Sequence, residues 1–297
     1  MARMRMAEAQ VEKPMETDGI CSVVSPYFRE AGTGEGVVCL HSNASTSAQW
    51  RSLMERLSSR FHVFAPDSLG AGKSPAWPTG QAVGLIDEVA LLDPVFTHAG
   101  SPLSLVGHSY GGAVALIAAL AHPKMVRALV LYEPTLFSLL EEEAPGQDAA
   151  NGIREAATDA AAAIDADNPS AAAARFIDYW MGDGMWNKMP ESRQAVVAAT
   201  MSNVRGWFHA LFDDSTPLQA FRTLKVPVLY MVGAKSPPSS RGVARLLTGV
   251  LPNVTMIEFP EFGHMGPVTH PEQVNEAIVK FLEEGSISGL IDTYMDT

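Results

Sequence analysis

The amino-acid sequence predicts an α/β fold, a doubly wound and mostly parallel sheet with a helical cap inserted after the strand that ends at Glu133. Short continuous apolar runs, typical of strands covered on both faces, alternate with segments of helical spacing. The alternation stops over residues 135–219, which are rich in alanine and large aromatics and carry no strand signal. It then resumes with two more strand–helix pairs, which indicates one sheet interrupted by an insertion.

The first half of the chain supplies most of the sheet. Residues 21–30 are interpreted as an edge strand or hairpin closed by a glycine-containing turn. Continuous apolar runs predict buried strands at 36–40, 61–65 and 103–106. Helical spacing of apolar residues predicts helices at 49–58 and 81–96, and Pro94 is expected to distort the end of the second one. A third helix follows the 103–106 strand and ends near residue 121.

The second half contains the insertion and the remaining strands. Residues 128–132 form a buried strand that ends at Glu133. Inside the insertion, Asn168 followed by Pro169 is typical of a helix start, and Pro190 suggests another. Further strands are predicted at 226–232 and 254–259, and a last helix at 271–284.

These boundaries divide the chain into four parts. Residues 1–19 are expected to form a mobile N-terminal arm, and 286–297 a loosely held tail. The core combines 20–134 with 220–285, and 135–219 form the helical cap, or lid. A length of 297 residues is compatible either with two domains or with one interrupted domain.

Composition restricts the class of protein. Hydrophobic residues make up 47% of the chain and charged residues 18%, as in a globular protein with a sizeable core. The net charge of −12 disfavours nucleic acid or an anionic membrane as a partner, and no apolar stretch approaches the ~20 residues that span a bilayer. Cys21 and Cys39 lie in strand-like segments, which favours reduced thiols and a cytoplasmic protein. Assembly into a homo-oligomer stays open.

The motif Gly-His-Ser-Tyr-Gly at residues 107–111 stands between a predicted strand and a predicted helix. This is the sequence form of a nucleophile elbow, in which a tight turn exposes the serine and the glycines let neighbouring backbone pass closely. Ser109 is therefore the candidate nucleophile, placed above a helix N-terminus that suits a developing oxyanion. The alternative is a glycine-rich turn that happens to expose a serine.

A serine hydroxyl needs a base, and His264 is the candidate among eight histidines. It lies in the loop 260–267, directly after the last predicted strand, and follows the serine in chain order as this motif requires. The other histidines lie within core elements, inside the elbow, at a helix start or outside any motif. The alternative for His264 is a solvent-exposed loop residue.

The carboxylate that should orient the base is less obvious. The usual position is the loop after the preceding strand, but residues 233–240 contain no Asp or Glu. Glu133, at the carboxyl end of an adjacent strand, is the best candidate, because an acid there could reach the same imidazole. The alternative is that Glu133 forms a salt bridge that anchors the lid. Asp67 is expected to bond backbone groups in its own turn, and Glu261 is a weaker candidate.

Two backbone donors should face the oxyanion of the reaction. The first is the N–H of Tyr110, directly after the nucleophile, and the second is expected from the loop after the 36–40 strand, at Asn43. The Asn43 side-chain amide could also reach substrate. No metal-spaced cluster of Cys and His is present in the sequence, and the predicted reaction needs no metal or cofactor.

On these residues the chain resembles the α/β-hydrolase superfamily from end to end. Residues 40–51, 65–74, the elbow and Gly-His-Met at 263–265 occur in family order. The first two stretches are similar to haloalkane dehalogenases, some of which carry their triad acid as a glutamate after the strand that Glu133 follows. Those enzymes use an aspartate nucleophile, whereas Ser109 suits acyl carbonyls. The family usually has glycine where this chain has Ser42, which is expected to narrow the oxyanion loop.

The cap should determine specificity. Its large apolar side chains either line an acyl pocket or pack the cap itself, and because the cap covers the site some of them must face it. The candidate substrate-binding residues are Phe137, Trp180, Trp186, Trp207 and Met265, with Met185, Phe208 and Phe212 as further members of the group.

Together these features predict a serine hydrolase that cleaves small-molecule carboxylic esters through an acyl-enzyme. Hydrolysis of a carbon–carbon bond, lactone, amide or thioester by the same triad is the alternative within enzymes. A ligand-binding receptor that keeps the pocket without turnover is the alternative from another class, and the empty usual acid position lends it some support.

Overall fold

The computed structural model describes residues 25–78, 80, 82–143 and 148–284. Within them, seven strands form one sheet in the order β1-β3-β2-β4-β5-β6-β7. β1 is antiparallel to β3, and the other neighbours are parallel, so the predicted mostly parallel sheet is confirmed. The strands are β1 Phe28–Ala31, β2 Glu35–Leu40, β3 Phe61–Pro66, β4 Leu103–His108, β5 Val126–Tyr132, β6 Val228–Gly233 and β7 Val254–Phe259.

Helices fill the connections between the strands. Before β5 they are α1 Arg51–Leu57, α2 Leu85–Ala99 and α3 Tyr110–Ala121. Between β5 and β6 they are α4 Ser138–Glu143, α5 Asp148–Asp165, α6 Pro169–Met181, α7 Met185–Lys188, α8 Glu191–Thr200 and α9 Val204–Phe212. After β6 they are α10 Pro238–Thr248, α11 Gly266–Thr269 and α12 Pro271–Glu284.

The sheet is covered on both faces, because successive strand residues point to opposite sides. In β6, Val228 and Tyr230 join a core cluster that includes α2, α3 and the helices between β5 and β6. Leu229 and Met231 join a second cluster with α1 and α12. All four side chains are fully buried. Burial on both faces explains the continuous apolar runs in the sequence.

The largest differences from the predicted boundaries are at the two ends of α2. The helix predicted over 81–96 begins at Leu85, because Gly84 is extended and its N–H donates to the Asp87 carboxylate at 2.7 Å. The helix also continues past Pro94 to Ala99. Pro94 removes one backbone donor, but the buried apolar residues that flank it hold the helix against the sheet.

Between β5 and β6 the described residues form helices and no strand, as the sequence predicts. The predicted helix start at Asn168 is confirmed: its side chain accepts from the N–H of Ala171 at 3.0 Å, with Pro169 at the first helical position. The division into core and cap stays a prediction. The predicted arm, the tail and Cys21 lie outside the described residues, and in the part that is described no helix is long and apolar enough to cross a membrane.

Candidate active site

Ser109 stands on a strained turn between β4 and α3. Its φ of 56° and ψ of −118° lie outside the regions that a serine ordinarily adopts. The flanking glycines make this turn sterically feasible: a Cβ at Gly107 would lie 2.5 Å from the Gly111 carbonyl oxygen. A Cβ at Gly111 would lie 2.3 Å from that of Leu40. The close approach of β4 to the start of α3, and of α3 to the end of β2, therefore explains the Gly-x-Ser-x-Gly pattern.

The fold brings three side chains that are distant in sequence into one hydrogen-bonded line. His264 Nε2 lies 2.9 Å from Ser109 Oγ, and His264 Nδ1 lies 2.7 Å from Glu133 Oε2. All three residues are buried. An ionised Glu133 accepts the Nδ1 proton, which leaves the Nε2 lone pair free to accept the serine hydroxyl proton. This arrangement can activate a serine as a nucleophile.

Glu133 is held by the segment 233–240, which contains no Asp or Glu. The Gly233 N–H donates to Glu133 Oε1 at 2.7 Å, and the Ser236 hydroxyl donates to the same oxygen. Ser240 Oγ lies 3.2 Å from His264 Nδ1. Sequence reasoning missed both serines. The signal that could have found them is the concentration of serine in the loop where an acid is usual, because a carboxylate supplied from elsewhere needs donors there.

A second histidine holds the backbone of the His264 loop. His108 Nε2 donates to the His264 carbonyl oxygen at 2.8 Å, and its Nδ1 accepts from the Gln49 amide at 3.0 Å. Burial lowers the pKa of His108 well below its usual value, and the neighbouring His264 adds to the effect. His108 therefore acts as a neutral donor. Tyr132 supports the same loop by donating to the Gly263 carbonyl oxygen at 2.8 Å.

The loop after β2 is fixed from several sides. The backbone N–H and hydroxyl of Ser42 both donate to Gln49 Oε1, at 3.2 and 3.1 Å. His41 donates from Nδ1 to the Ser42 carbonyl at 2.7 Å. Asn43 follows directly and lines the same cavity as Ser109. Its assignment to the oxyanion hole stays a prediction.

Tyr110, the other predicted oxyanion donor, is the first residue of α3, where N–H groups have no acceptor within the helix. Its side chain is buried and donates to Glu88 Oε1 at 3.2 Å. Burial raises the pKa of Glu88 to about 7, although the N–H of Leu69 and the Tyr110 hydroxyl both favour its charged form. Glu88 thus anchors Tyr110, the residue that follows Ser109.

The cavity at Ser109 is small, about 20 Å³, which is room for about one water molecule. Of the predicted substrate-binding residues, Phe137 and Trp180 line it, and Trp186, Trp207 and Met265 do not. Trp207 packs against Phe176, and Met265 lines an outer cleft beyond Trp180. The lining residues are Asn43, Ser109, Thr135, Phe137, Phe176, Trp180, Phe208, Leu211 and His264.

Trp180 has a closer relation to the site than its position in sequence indicates. Its ring stacks on the His264 imidazole, with ring centroids 4.0 Å apart and an interplanar angle of 26°. It also lines the outer cleft of about 660 Å³, so it forms the wall between that cleft and the cavity at Ser109.

The remaining acids do not reach the imidazole. Asp67 accepts from the N–H groups of Ser47 and Lys73, at 2.6 and 2.9 Å, as predicted for a turn residue. The Glu261 side chain is 75% exposed and pairs with Lys235. Glu133 is therefore the carboxylate that contacts His264.

A mostly parallel sheet of this order, with a serine on a strained turn after β4 and a histidine after the last strand, defines the class of protein as an α/β hydrolase. The family described as the α/β hydrolase fold matches residues 36–271, and the chain belongs to this family. The predicted family membership is confirmed.

Known proteins place the chain among hydrolases. It is similar to the pimeloyl-(acyl-carrier protein) methyl ester esterase of Proteus mirabilis, 27% identical over 88% of this chain and 98% of that protein. The 2-(acetamidomethylene)succinate hydrolase of Mesorhizobium japonicum is 30% identical over 86% of this chain and 90% of its own. Among solved structures, an esterase from Exiguobacterium antarcticum superposes with a TM-score of 0.71 at 20% identity, covering 86% of this chain and 95% of its own.

Proposed function

We propose that this protein is a serine hydrolase that cleaves small-molecule carboxylic esters through an acyl-enzyme. The observation that carries the proposal is the line of hydrogen bonds from Ser109 through His264 to Glu133. A relative named as a methyl ester esterase, which aligns over 88% of the chain, supports hydrolysis of a carboxylic ester. We further propose a cytoplasmic location, with which the buried free thiol of Cys39 agrees.

In the acylation step, Ser109 Oγ attacks the ester carbonyl carbon while His264 Nε2 takes the hydroxyl proton. The carbonyl oxygen becomes an oxyanion, for which we assign the backbone N–H groups of Asn43 and Tyr110. When the tetrahedral intermediate collapses, the imidazolium gives its proton to the departing alcohol. Glu133 keeps Nδ1 protonated and stabilises the imidazolium in between.

In the deacylation step, water replaces the alcohol. His264 accepts a proton from this water as its oxygen attacks the acyl carbon, and then returns the proton to Ser109 Oγ. The products are the carboxylic acid and the free enzyme. Both steps use only groups of this chain, substrate and water.

A second candidate is hydrolysis of an acylated enamine or amide by the same triad. The relative that favours it is the 2-(acetamidomethylene)succinate hydrolase, at 30% identity. The two candidates share Ser109 as nucleophile and differ in the bond that breaks. Turnover of a panel of p-nitrophenyl esters, set against matched anilides, a lactone and a vinylogous diketone, distinguishes them.

The test of the proposal is covalent labelling combined with turnover. A fluorophosphonate probe should label the wild-type chain, and Ser109→Ala should lose both the label and ester hydrolysis. Ser138→Ala is the matched control, because Ser138 is also buried and its hydroxyl has no hydrogen-bond partner among the described residues. If the folded wild-type chain takes up no label and turns over no ester, the proposal is wrong, and the result favours the ligand-binding receptor.

A further inference from the structure

Two histidines and one glutamate converge at the sheet edge formed by β1 and β3. Glu30 lies on β1, His62 on β3 and His98 in the last turn of α2. Their ligating atoms all lie within 4.8 Å of one another. His62 Nε2 is 2.6 Å from Glu30 Oε1, and His98 Nε2 is 3.3 Å from the same oxygen. We propose that Glu30, His62 and His98 form a binding site for a divalent metal ion of the Zn²⁺ type.

The donor set suits such an ion. Zn²⁺ is held by imidazole nitrogen and carboxylate oxygen at about 2.0–2.2 Å, which places tetrahedral ligand atoms about 3.4 Å apart. The 3.3 Å between His98 and Glu30 already matches this spacing. The His62 contact must open from its hydrogen-bonded 2.6 Å by less than about 1 Å, as the ion replaces the proton between the two atoms. A water molecule would complete the tetrahedron.

The imidazole rings are held in place before an ion binds. The His62 ring packs on Phe64 with centroids 4.3 Å apart. The His98 ring packs edge-on against Phe64 at 5.3 Å and against Phe28 at 5.8 Å. Phe28 and Phe64 are both buried in the core. Packing of this kind limits the side-chain freedom that metal binding would otherwise have to remove.

The local electrostatics also favour a cation. His98 lies in the last turn of α2, where unpaired carbonyl groups carry partial negative charge. The Glu30 carboxylate adds a full negative charge, and its side chain is only 24% exposed. An ion bound here would connect β1 to the end of α2, so its expected role is to stabilise this edge of the sheet.

The cluster of Glu30, His62 and His98 is separate from the hydrogen-bonded residues Ser109, His264 and Glu133. His62 pairs with Gly36, and Gly36 pairs with Leu103 at the beginning of β4. Ser109 follows the opposite end of β4. The cluster therefore lies at the amino ends of the parallel strands, so an ion there is not expected to take part in ester hydrolysis.

The simpler explanation of the cluster is an ion pair without metal. An ion pair requires protonated imidazoles, whereas metal binding requires neutral imidazoles, because the ion competes with protons for the same ring nitrogens. The two explanations therefore predict opposite dependences on pH. This difference, together with stoichiometry, decides between them.

The experiment is calorimetric titration of the full chain, without a histidine tag and stripped with a chelator, with ZnCl₂ at pH 7.5. The wild-type chain should bind one Zn²⁺ per molecule. The Zn²⁺ affinity of His98→Ala and of Glu30→Gln should each be at least tenfold lower than that of the wild-type chain. His98 is half exposed, so its replacement is not expected to disturb folding. His122→Ala is the matched control, because His122 faces a single carboxylate, Asp93 at 3.5 Å, without a second histidine.

Further readouts separate this site from adventitious binding. Zn²⁺ should raise the thermal unfolding midpoint of wild type and of His122→Ala but not of His98→Ala, and the binding should weaken sharply at pH 5.5. Co²⁺ should give the visible absorption of a tetrahedral site in the same variants. Equal Zn²⁺ affinity of wild type and His98→Ala, or no stoichiometric ion on the wild-type chain at pH 7.5, overturns the proposal. Ester turnover plays no part in this test.

Discussion

Replacing Glu133 by glutamine tests its proposed role as the carboxylate that orients His264. The change keeps the volume of the side chain and removes its charge. In the wild-type chain, Glu133 accepts hydrogen bonds from Gly233, Ser236 and His264 and is fully buried. Glutamine offers one acceptor oxygen and one donor group, so it cannot satisfy donors on both sides.

Both orientations of the new amide are unfavourable, the first for catalysis and the second for stability. If its NH₂ faces His264, the imidazole must place its proton on Nε2, and it can no longer accept the proton of Ser109. If its NH₂ faces the other way, it confronts the N–H of Gly233, and a buried donor is left unsatisfied. The first orientation avoids that unsatisfied backbone donor, and a triad with the wrong tautomer loses about 10⁴-fold in kcat. This corresponds to about 5 kcal/mol of transition-state stabilisation.

The assay is steady-state hydrolysis of a short-chain p-nitrophenyl ester, with kcat and KM determined separately. We expect kcat to fall by about 10⁴-fold in Glu133→Gln while KM changes little. Glu261→Gln is the matched control, because Glu261 is the other acid near His264 in sequence but is exposed and paired with Lys235. Thermal unfolding of each variant establishes that it is folded.

The opposite result would refute the reasoning. If Glu133→Gln keeps kcat within tenfold of wild type while Glu261→Gln loses orders of magnitude, the orienting acid is Glu261. If neither variant loses activity, His264 works without a carboxylate partner, and the contact at 2.7 Å is only structural.

Three further predictions follow from the structure. Trp180→Leu should lower kcat for ester turnover about 2- to 30-fold, because it removes about 0.5–2 kcal/mol of cation–π stabilisation of the His264 imidazolium. Trp180→Phe should retain part of this stabilisation and therefore lose less kcat. Gly111→Ala should lower the free energy of unfolding by about 1–3 kcal/mol through overpacking, while Gly152→Ala in α5 should raise it by about 0.5–1 kcal/mol, as measured by urea unfolding. In the wild-type chain, Glu88 should lower the free energy of unfolding by about 3 kcal/mol as the pH rises from 4.5 to 7, as measured by urea unfolding at both pH values. Glu88→Gln should lack this decrease.

The sign of the last effect follows from the raised pKa of Glu88. Between its ordinary value of 4.5 and about 7, the native carboxyl keeps a proton that the unfolded chain has lost. The contribution of Glu88 to the free energy of unfolding is therefore fully present below pH 4.5 and falls as the pH rises to about 7. A wild-type chain whose stability rises through this window to the same extent as that of Glu88→Gln contradicts the prediction. Equal kcat values of the two Trp180 variants, or an unchanged Gly111→Ala, would contradict the others.

Ser109 and His264 could be proposed as nucleophile and base from the sequence because each lies in a short motif beside a strand. Gly-x-Ser-x-Gly reports local backbone strain, and the structure shows that strain at Ser109. His264 follows the last strand, and parallel strands place their carboxyl ends at one edge. Glu133 could be proposed for the same reason, although only the structure brings it to 2.7 Å from the imidazole.

The particular contacts between distant segments could not be predicted. The serine-rich sequence of 233–240 indicates donors for a carboxylate, but only the fold brings Ser236 to Glu133 and Ser240 to His264. The stacking of Trp180 on the imidazole depends on how α6 packs over the sheet, which periodicity does not specify. His62 and His98 likewise carry no motif, because their ligating atoms meet only through the pairing of β1 with β3 and the end of α2.

The central claim is that Ser109 carries the acyl group during turnover. Its most direct test is rapid quenching of the wild-type chain with a p-nitrophenyl ester, followed by mass spectrometry of the intact protein and of its peptides. The account predicts a burst of p-nitrophenol close to one per chain and an acyl group on the peptide that contains Ser109. Turnover without any mass increase, or an acyl group on another residue, would contradict it.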